Sequence, residues 1–145
     1  MIRPYRNGDA AAIAALEKEC FSEPWSKQAV ENSADEGIRF FVYEENGAII
    51  GYIGLQTVLD EGYITNVAVS PDNRRKGIGK ALLETLDSKA EELSLSFISL
   101  EVRESNTAAI ALYNLCGYKN EGIRKRFYTN PDENAIIMTK RRKTL

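Results

Sequence analysis

Apolar side chains recur along this chain in two periods, and the switches between them divide it into elements. From Gly77 to Leu93, Ile78, Leu82, Leu86, Ala90 and Leu93 return every three or four residues, while Lys80, Glu84, Asp87 and Glu91 take the other side. That spacing predicts an amphipathic helix packed on a sheet. In Phe97–Arg103 the period drops to two: Ile98, Leu100 and Val102 alternate with Ser99, Glu101 and Arg103, which predicts a strand with one buried face.

The remaining segments parse by the same rules. A short strand near residues 1 to 5 ends at Asn7-Gly8-Asp9, which opens an Ala-rich helix from about 10 to 20 with Asp9 as its N-cap. Pro24 breaks the chain and sets Trp25 at the entrance of a second helix, capped by Ser26 and running to about 35. Residues 39 to 45 and 48 to 58 are rich in β-branched and aromatic side chains and are joined by Glu45-Asn46-Gly47, a hairpin signal. A third strand, Gly62–Val69, stops at the turn residues Ser70-Pro71-Asp72-Asn73. A helix from about 106 to 115 ends at Gly117, and Tyr118 to Arg124 and Ala135 to Arg141 form a last strand pair around a long polar loop. A strand, crossover helix and parallel strand in the middle, with antiparallel partners outside, predicts an α/β (α+β) fold in one domain over residues 1–145. Its mixed, mostly antiparallel sheet carries helices on both faces.

Composition narrows the chemistry. The 145 residues are 43% hydrophobic and 28% charged, a balance that suits one domain with one core. A net charge of -2 argues against a general nucleic-acid binder, so no direct nucleic-acid partner is expected, although basic residues cluster at 74 to 80, 124 to 126 and 140 to 143. The last cluster, Lys140-Arg141-Arg142-Lys143, reads as a solvated end. Cys20 and Cys116 read as reduced thiols with neither a disulfide nor a metal implied. The absence of histidine removes every Ser-His or Cys-His nucleophile scheme and every His-ligated metal site. No secretory leader and no membrane-spanning apolar run is read, so the expected location is the cytoplasm with no membrane partner. Oligomeric state is left open.

The loop Arg74-Arg75-Lys76-Gly77-Ile78-Gly79-Lys80 lies between a strand and a helix. Such a loop exposes backbone N–H groups at the positive end of a helix dipole, and its cations suit a ligand with several phosphates. A plain turn with solvated charges is the alternative. The loop lacks the Lys-Ser/Thr pair of the P-loop and the third glycine of the dinucleotide fingerprint.

The pattern R-x-x-G-x-G in Arg74 to Gly79, after Asn66-Val67-Ala68-Val69-Ser70-Pro71, resembles the acetyl-CoA motif of the GNAT N-acetyltransferase superfamily. Leu100 to Asn106, Ala108 to Tyr113, Gly117-Tyr118, Glu23-Pro24-Trp25-Ser26, Phe127-Tyr128 and Glu133 to Met138 resemble its ribosomal-protein-alanine branch. Together these segments span nearly the whole chain. Phe127 and Asn134 stand where the family often has tyrosine and aspartate.

The resemblance implies direct attack of an amine on the acetyl-CoA thioester, with acetyl-CoA as cosubstrate and no metal. It implies a slot between two splayed strands, where the backbone of Val67, Ala68 and Val69 meets the pantetheine arm, the loop from Arg74 through Arg75, Lys76, Gly77, Ile78 and Gly79 to Lys80 holds the pyrophosphate, and Asn106 bonds the cofactor arm. Glu101 corresponds to the general base; as a carboxylate on an otherwise buried strand, it would be made a better proton acceptor by burial. A structural ion pair with Arg103 or another cation is the competing reading of Glu101. Tyr113 corresponds to the general acid, and a core tyrosine is its alternative; for Asn106 the alternative is a helix cap. Trp25, Tyr128 and Glu133 are candidate walls of a substrate groove. The implied substrate is a protein N-terminus, most specifically the N-terminal alanine of a small-subunit ribosomal protein. A small-molecule amine and a non-catalytic acetyl-CoA-binding module are the competing functions.

Overall fold

Strand β2 (Arg39–Glu45) sends Phe40 and Val42 to one side of the sheet and Phe41 and Tyr43 to the other, and both sides are covered. The computed structural model describes residues 1–142 and places β2 second from one edge, beside β1 (Ile2–Pro4). Helices α1 (Ala10–Cys20) and α2 (Lys27–Asp35) cover one face, where Ala10, Ile13, Leu16 and Val30 pack on Phe40, Val42, Tyr52 and Ala68. Helices α3 (Ile78–Glu92) and α4 (Thr107–Leu115) cover the other, where Ile78, Leu82, Leu83, Leu86 and Tyr113 meet Phe41, Ile53, Leu55, Ile98 and Leu100. Leu82, Leu83 and Leu86 are 0% exposed, so the helical period read from the sequence marks a buried face, each leucine contributing about 2 kcal/mol.

The remaining strands are β3 (Ala48–Val58), β4 (Glu61–Val69), β5 (Phe97–Arg103), β6 (Lys119–Tyr128) and β7 (Glu133–Arg141), and the sheet order is β1-β2-β3-β4-β5-β7-β6. Every neighbouring pair is antiparallel except β4 with β5. This is the mixed sheet with helices on both faces expected from the element order. Among the described residues no helix is long and apolar enough to cross a membrane.

The central parallel pair is short. β4 and β5 are in register only at Glu61–Phe97, Gly62–Ile98 and Tyr63–Ser99; beyond them the strands part. The cause lies one strand over. The pairing of β3 with β4 runs Leu55–Ile64 and then Gly54–Asn66, which leaves Thr65 as an extra residue, and such a bulge bends and twists its strand. Gly54 makes the room: a Cβ there would lie 2.8 Å from the Phe40 ring and would collide with Thr65 Oγ1.

Three details differ from expectation. Asp9 precedes α1 without capping it, because its carboxylate holds the Arg3 guanidinium at 2.8 and 3.1 Å and the Arg6 N–H at 2.7 Å. Ser26 does cap α2, accepting from Ala29 N–H at 3.1 Å. The last strands are longer than read and their loop shrinks to residues 129–132, since β6 continues past a bulge where Arg126 adopts φ 54° and donates its N–H to Asn134 Oδ1 at 3.0 Å. Lys140 and Arg141 are not a solvated end: they lie in β7 and pair with Asp87 (2.8 Å) and Glu121 (2.7 Å). Lys143 lies outside the described residues.

Candidate active site

The parting of β4 from β5 leaves a break in the sheet, and strand alternation decides which main-chain groups face it. Ser70 N–H donates to Ile50 O at 2.8 Å, so in an antiparallel ladder Ala68 also turns its N–H and C=O toward β3, while those of Val67 and Val69 point into the break. Val67 therefore offers its N–H and C=O to a ligand lying along β4, and Val69 its N–H, since the Val69 carbonyl already accepts from Arg74 and Cys20. Ala68 contributes a small buried side chain to the α1 face instead.

At the end of β4 the chain turns into α3 through Arg75 (φ 65°) and Gly77 (φ 79°). The first helical bond runs from Ala81 N–H to Gly77 O, so the N–H groups of Ile78, Gly79 and Lys80 precede it and point out of the helix start. A Cβ at Gly77 would project into open space, and one at Gly79 would sit 2.9 Å from the tip of the Leu112 side chain, which would have to shift to admit it. None of Arg74, Arg75, Lys76 and Lys80 joins an ion pair among the described residues, which leaves their charge for an anion. Arg74 also braces the loop, its Nε donating to Val69 O at 3.1 Å and its Nη2 lying 3.5 Å from Cys20 Sγ. These features fit a polyphosphate at the helix start and an extended amide-bearing arm in the break.

Glu101 lies on β5 just past the last β4 pair. Leu100 and Val102 enter the α3/α4 core, so Glu101 points to the opposite face. Helices α1 and α2 bury residues of β2, β3 and β4 there, and none of β5 or β7. Glu101 is accordingly exposed, not buried as its strand suggested, with 34% of its side chain accessible and its Oε1 3.1 Å from Arg124 Nε. Arg124 was not singled out by the sequence; Arg103 is occupied elsewhere. Its guanidinium pairs with Glu133 at 3.2 Å, donates to Thr129 O and Pro131 O at 2.8 and 2.9 Å, and stacks 4.5 Å over the Tyr128 ring. Glu133 also accepts Ser105 N–H, and these bonds, that of Ser105 first, hold its carboxyl below the usual range. The geometry thus assigns Glu133 to fixing Arg103 and the 129–132 turn.

Tyr113 lies on the other face of the sheet, in the α3/α4 core. It is 6% exposed among core residues of α3, β5 and β7, and burial, then the nearby Tyr128 phenol, pushes its pKa well above the ordinary phenol range. Tyr128 is pushed up to about 12, chiefly by burial and next by the Glu101 carboxylate. Tyr128 therefore lies within electrostatic reach of both Glu101 and Tyr113. Asn106 is the N-cap of α4, its Oδ1 accepting Ala109 N–H at 3.2 Å, which leaves Nδ2 as its donor to a ligand.

Trp25 stands on the same face as Glu101, edge-on to Phe40 at 6.4 Å. Its N–H donates to Glu17 Oε1 at 3.0 Å, and Glu17 Oε2 accepts the Tyr52 hydroxyl at 2.6 Å. Glu17 is 1% exposed, and nothing in the helical pattern of α1 singled it out. Thr129 Oγ1 donates to Glu23 Oε1, tying the 129–132 turn to the loop between α1 and α2. Glu17→Ala would leave the buried Tyr52 hydroxyl and the part-buried Trp25 backbone N–H unmatched, and the expected loss in unfolding free energy is about 2–4 kcal/mol. Denaturant titration measures this, and a red shift in the emission of Trp25, the sole tryptophan, reports release of the loop; unchanged stability with an unshifted spectrum would refute it.

A family model described as the acetyltransferase (GNAT) family matches residues 10–118. The chain is 39% identical over 132 residues to the [ribosomal protein bS18]-alanine N-acetyltransferase of Escherichia coli K12, covering 90% of this chain and 89% of that one. Its fold superposes on the crystal structure of the ribosomal-protein-S18-alanine N-acetyltransferase from Escherichia coli with a TM-score of 0.92, at 35% identity and covering 100% and 95% of the two chains. A NatC complex bound to Gag peptide and CoA gives a TM-score of 0.82 at 25% identity, covering 99% of this chain and 98% of that one.

Proposed function

The chain belongs to the GNAT family and is an acetyl-CoA-dependent N-acetyltransferase; from that premise we propose that residues 1–145 act as one cytoplasmic catalytic unit on the N-terminal α-amine of a protein, namely the N-terminal alanine of a small-subunit ribosomal protein of the bS18 kind. The observation that carries this is the identity of 39% over nine-tenths of the chain to an enzyme named for that substrate. The Thr129–Glu23 bond, which ties the turn after Tyr128 to the loop before Trp25, supports it, since two aromatics carried on joined loops suit an extended peptide.

In this reading the main chain of Val67 and Val69 aligns the pantetheine arm, the N–H groups of residues 78–80 with the surrounding cations hold the pyrophosphate, and Asn106 Nδ2 steadies the arm. The amine reaches the break from the α1/α2 face. Its nitrogen lone pair forms the new N–C bond to the acetyl carbonyl carbon as the C–S bond breaks, Glu101 removes the amine proton directly or through a water, and Tyr113 gives a proton to the departing sulfur. Base and acid stand on opposite faces of the sheet, so acceptor and leaving group need not pass each other.

The test is a CoA-release assay with acetyl-CoA, a peptide bearing the ribosomal N-terminus and a panel of small amines. Turnover with the peptide alone is the expected result. Turnover with small amines alone would overturn the substrate assignment, and cofactor binding without any turnover would leave a binding module.

A further inference from the structure

We propose that Asn66, with Thr65 beside it, binds the acceptor amine opposite Glu101, an inference that rests on the acetyl-transfer reading of the break and deepens it. Two adjacent residues of β4 each carry a buried oxygen, Thr65 Oγ1 and Asn66 Oδ1, that has no hydrogen-bond partner among the described residues. Buried polar atoms are nearly always satisfied, and an orphan is costly unless something else completes it. Here two orphans occur side by side, at the bulge that opens the sheet.

Their direction follows from the register. Asn66 is opposite Gly54 on β3, and a Cβ at Gly54 would meet both the Phe40 ring and Thr65 Oγ1. Phe40 belongs to the α1/α2 face, so the bulge turns Thr65 and Asn66 together to that face. On the far side of the break, the last parallel pair is Tyr63–Ser99. Counting on from it, the bulge absorbs one residue of β4, which brings Asn66 level with Glu101, two positions along each strand. Both side chains are on the same face with the break between them.

The chemistry of the acceptor fits that placement. An N-terminal amine arrives as an ammonium with three N–H groups, and after one proton leaves, the lone pair must aim at the thioester while the remaining N–H bonds point away. Glu101 takes the proton. The Asn66 carbonyl and the Thr65 hydroxyl are the two acceptors for the other N–H groups. Neither competes for the proton, because an amide oxygen and an alcohol are far weaker bases than a carboxylate. Asn66 as a residue is half-buried while its Oδ1 is closed to solvent, so an amine entering from the α1/α2 face meets the oxygen once the side chain rotates, without unfolding β4.

This role carries a signature that a structural role lacks. Removing an orphaned oxygen should not destabilise the fold, so Asn66→Ala is expected to keep or raise Tm while kcat/KM for the acceptor falls by about 10- to 100-fold, with acetyl-CoA affinity within about twofold of the unsubstituted protein. Thr65→Val, which keeps the β-branched shape, is expected to lose about 3- to 10-fold with the same unchanged Tm and cofactor affinity; it stands in if the first variant does not fold. The acceptor used is whichever amine the unsubstituted protein acetylates, peptide or small molecule, so the inference is scored even if the ribosomal substrate is wrong. Retained kcat/KM in both variants overturns it, as does a loss matched by a lower Tm or weaker acetyl-CoA binding. If the unsubstituted protein acetylates no amine, this inference and the functional reading fall together.

Discussion

Glu101→Gln is expected to lower kcat by about 100- to 1,000-fold, the usual range for a lost general base, with acetyl-CoA affinity nearly unchanged. Glutamine keeps the shape and can still accept a bond from Arg124 but cannot remove a proton. The residual rate should then follow the free-amine fraction in solution, rising with pH through the α-amino range near about 8. The unsubstituted enzyme should already be fast below that range. Steady-state kinetics across pH, with acetyl-CoA binding measured separately, decides it, and an unchanged kcat refutes the assignment. Because Glu101 is exposed and paired with Arg124, an Arg124 substitution is no substitute for this test; it alters the orientation of the base and leaves the base present.

The second large effect is at Tyr113. Tyr113→Phe removes one oxygen from a site already surrounded by Ile136, Met138 and Tyr118, so the fold should hold while kcat falls by about 10- to 100-fold. In the proposed reading the raised phenol pKa suits the role, since it keeps the proton on Tyr113 until the departing sulfur takes it. The same shift bears on stability. A phenol whose folded-state pKa lies above its unfolded value contributes stability that is complete below the unfolded pKa, near about 10, and is lost as pH rises toward the folded value. The Phe variant should therefore unfold less readily in alkali relative to its own neutral-pH stability. Turnover equal to that of the unsubstituted protein would return Tyr113 to the role of a core aromatic.

What could be read in the sequence was whatever depends on periodicity. Ile78, Leu82 and Leu86 announced α3, and the run from Arg39 to Val58 announced the β2–β3 hairpin almost to the residue. The slot itself followed only from resemblance, although a trace was present: Thr65-Asn66 places two polar residues in succession where alternation demands one, and the structure has its bulge there. Long-range choices left no trace. Asp9 is a fine cap by local rules and is taken by Arg3, from a strand the cap rules do not consider. Glu101 sits on a strand with a buried face, yet its exposure depends on how far α1 and α2 extend over the sheet, which no local pattern encodes. Glu17 looks like any helix-surface glutamate until Tyr52 and the Trp25 N–H are brought to it.

The shortness of the β4–β5 seam has a mechanical meaning. The sheet is two leaves, β1 to β4 and β5 to β7, stitched by three residue pairs at one end. In the proposed reading, an arm laid along Val67 and Val69 at the open end takes the place of a strand there. On that reading the cosubstrate would then serve as a splint between the two leaves as well as an acyl donor, because its arm fills the stretch that no β4–β5 pairing closes.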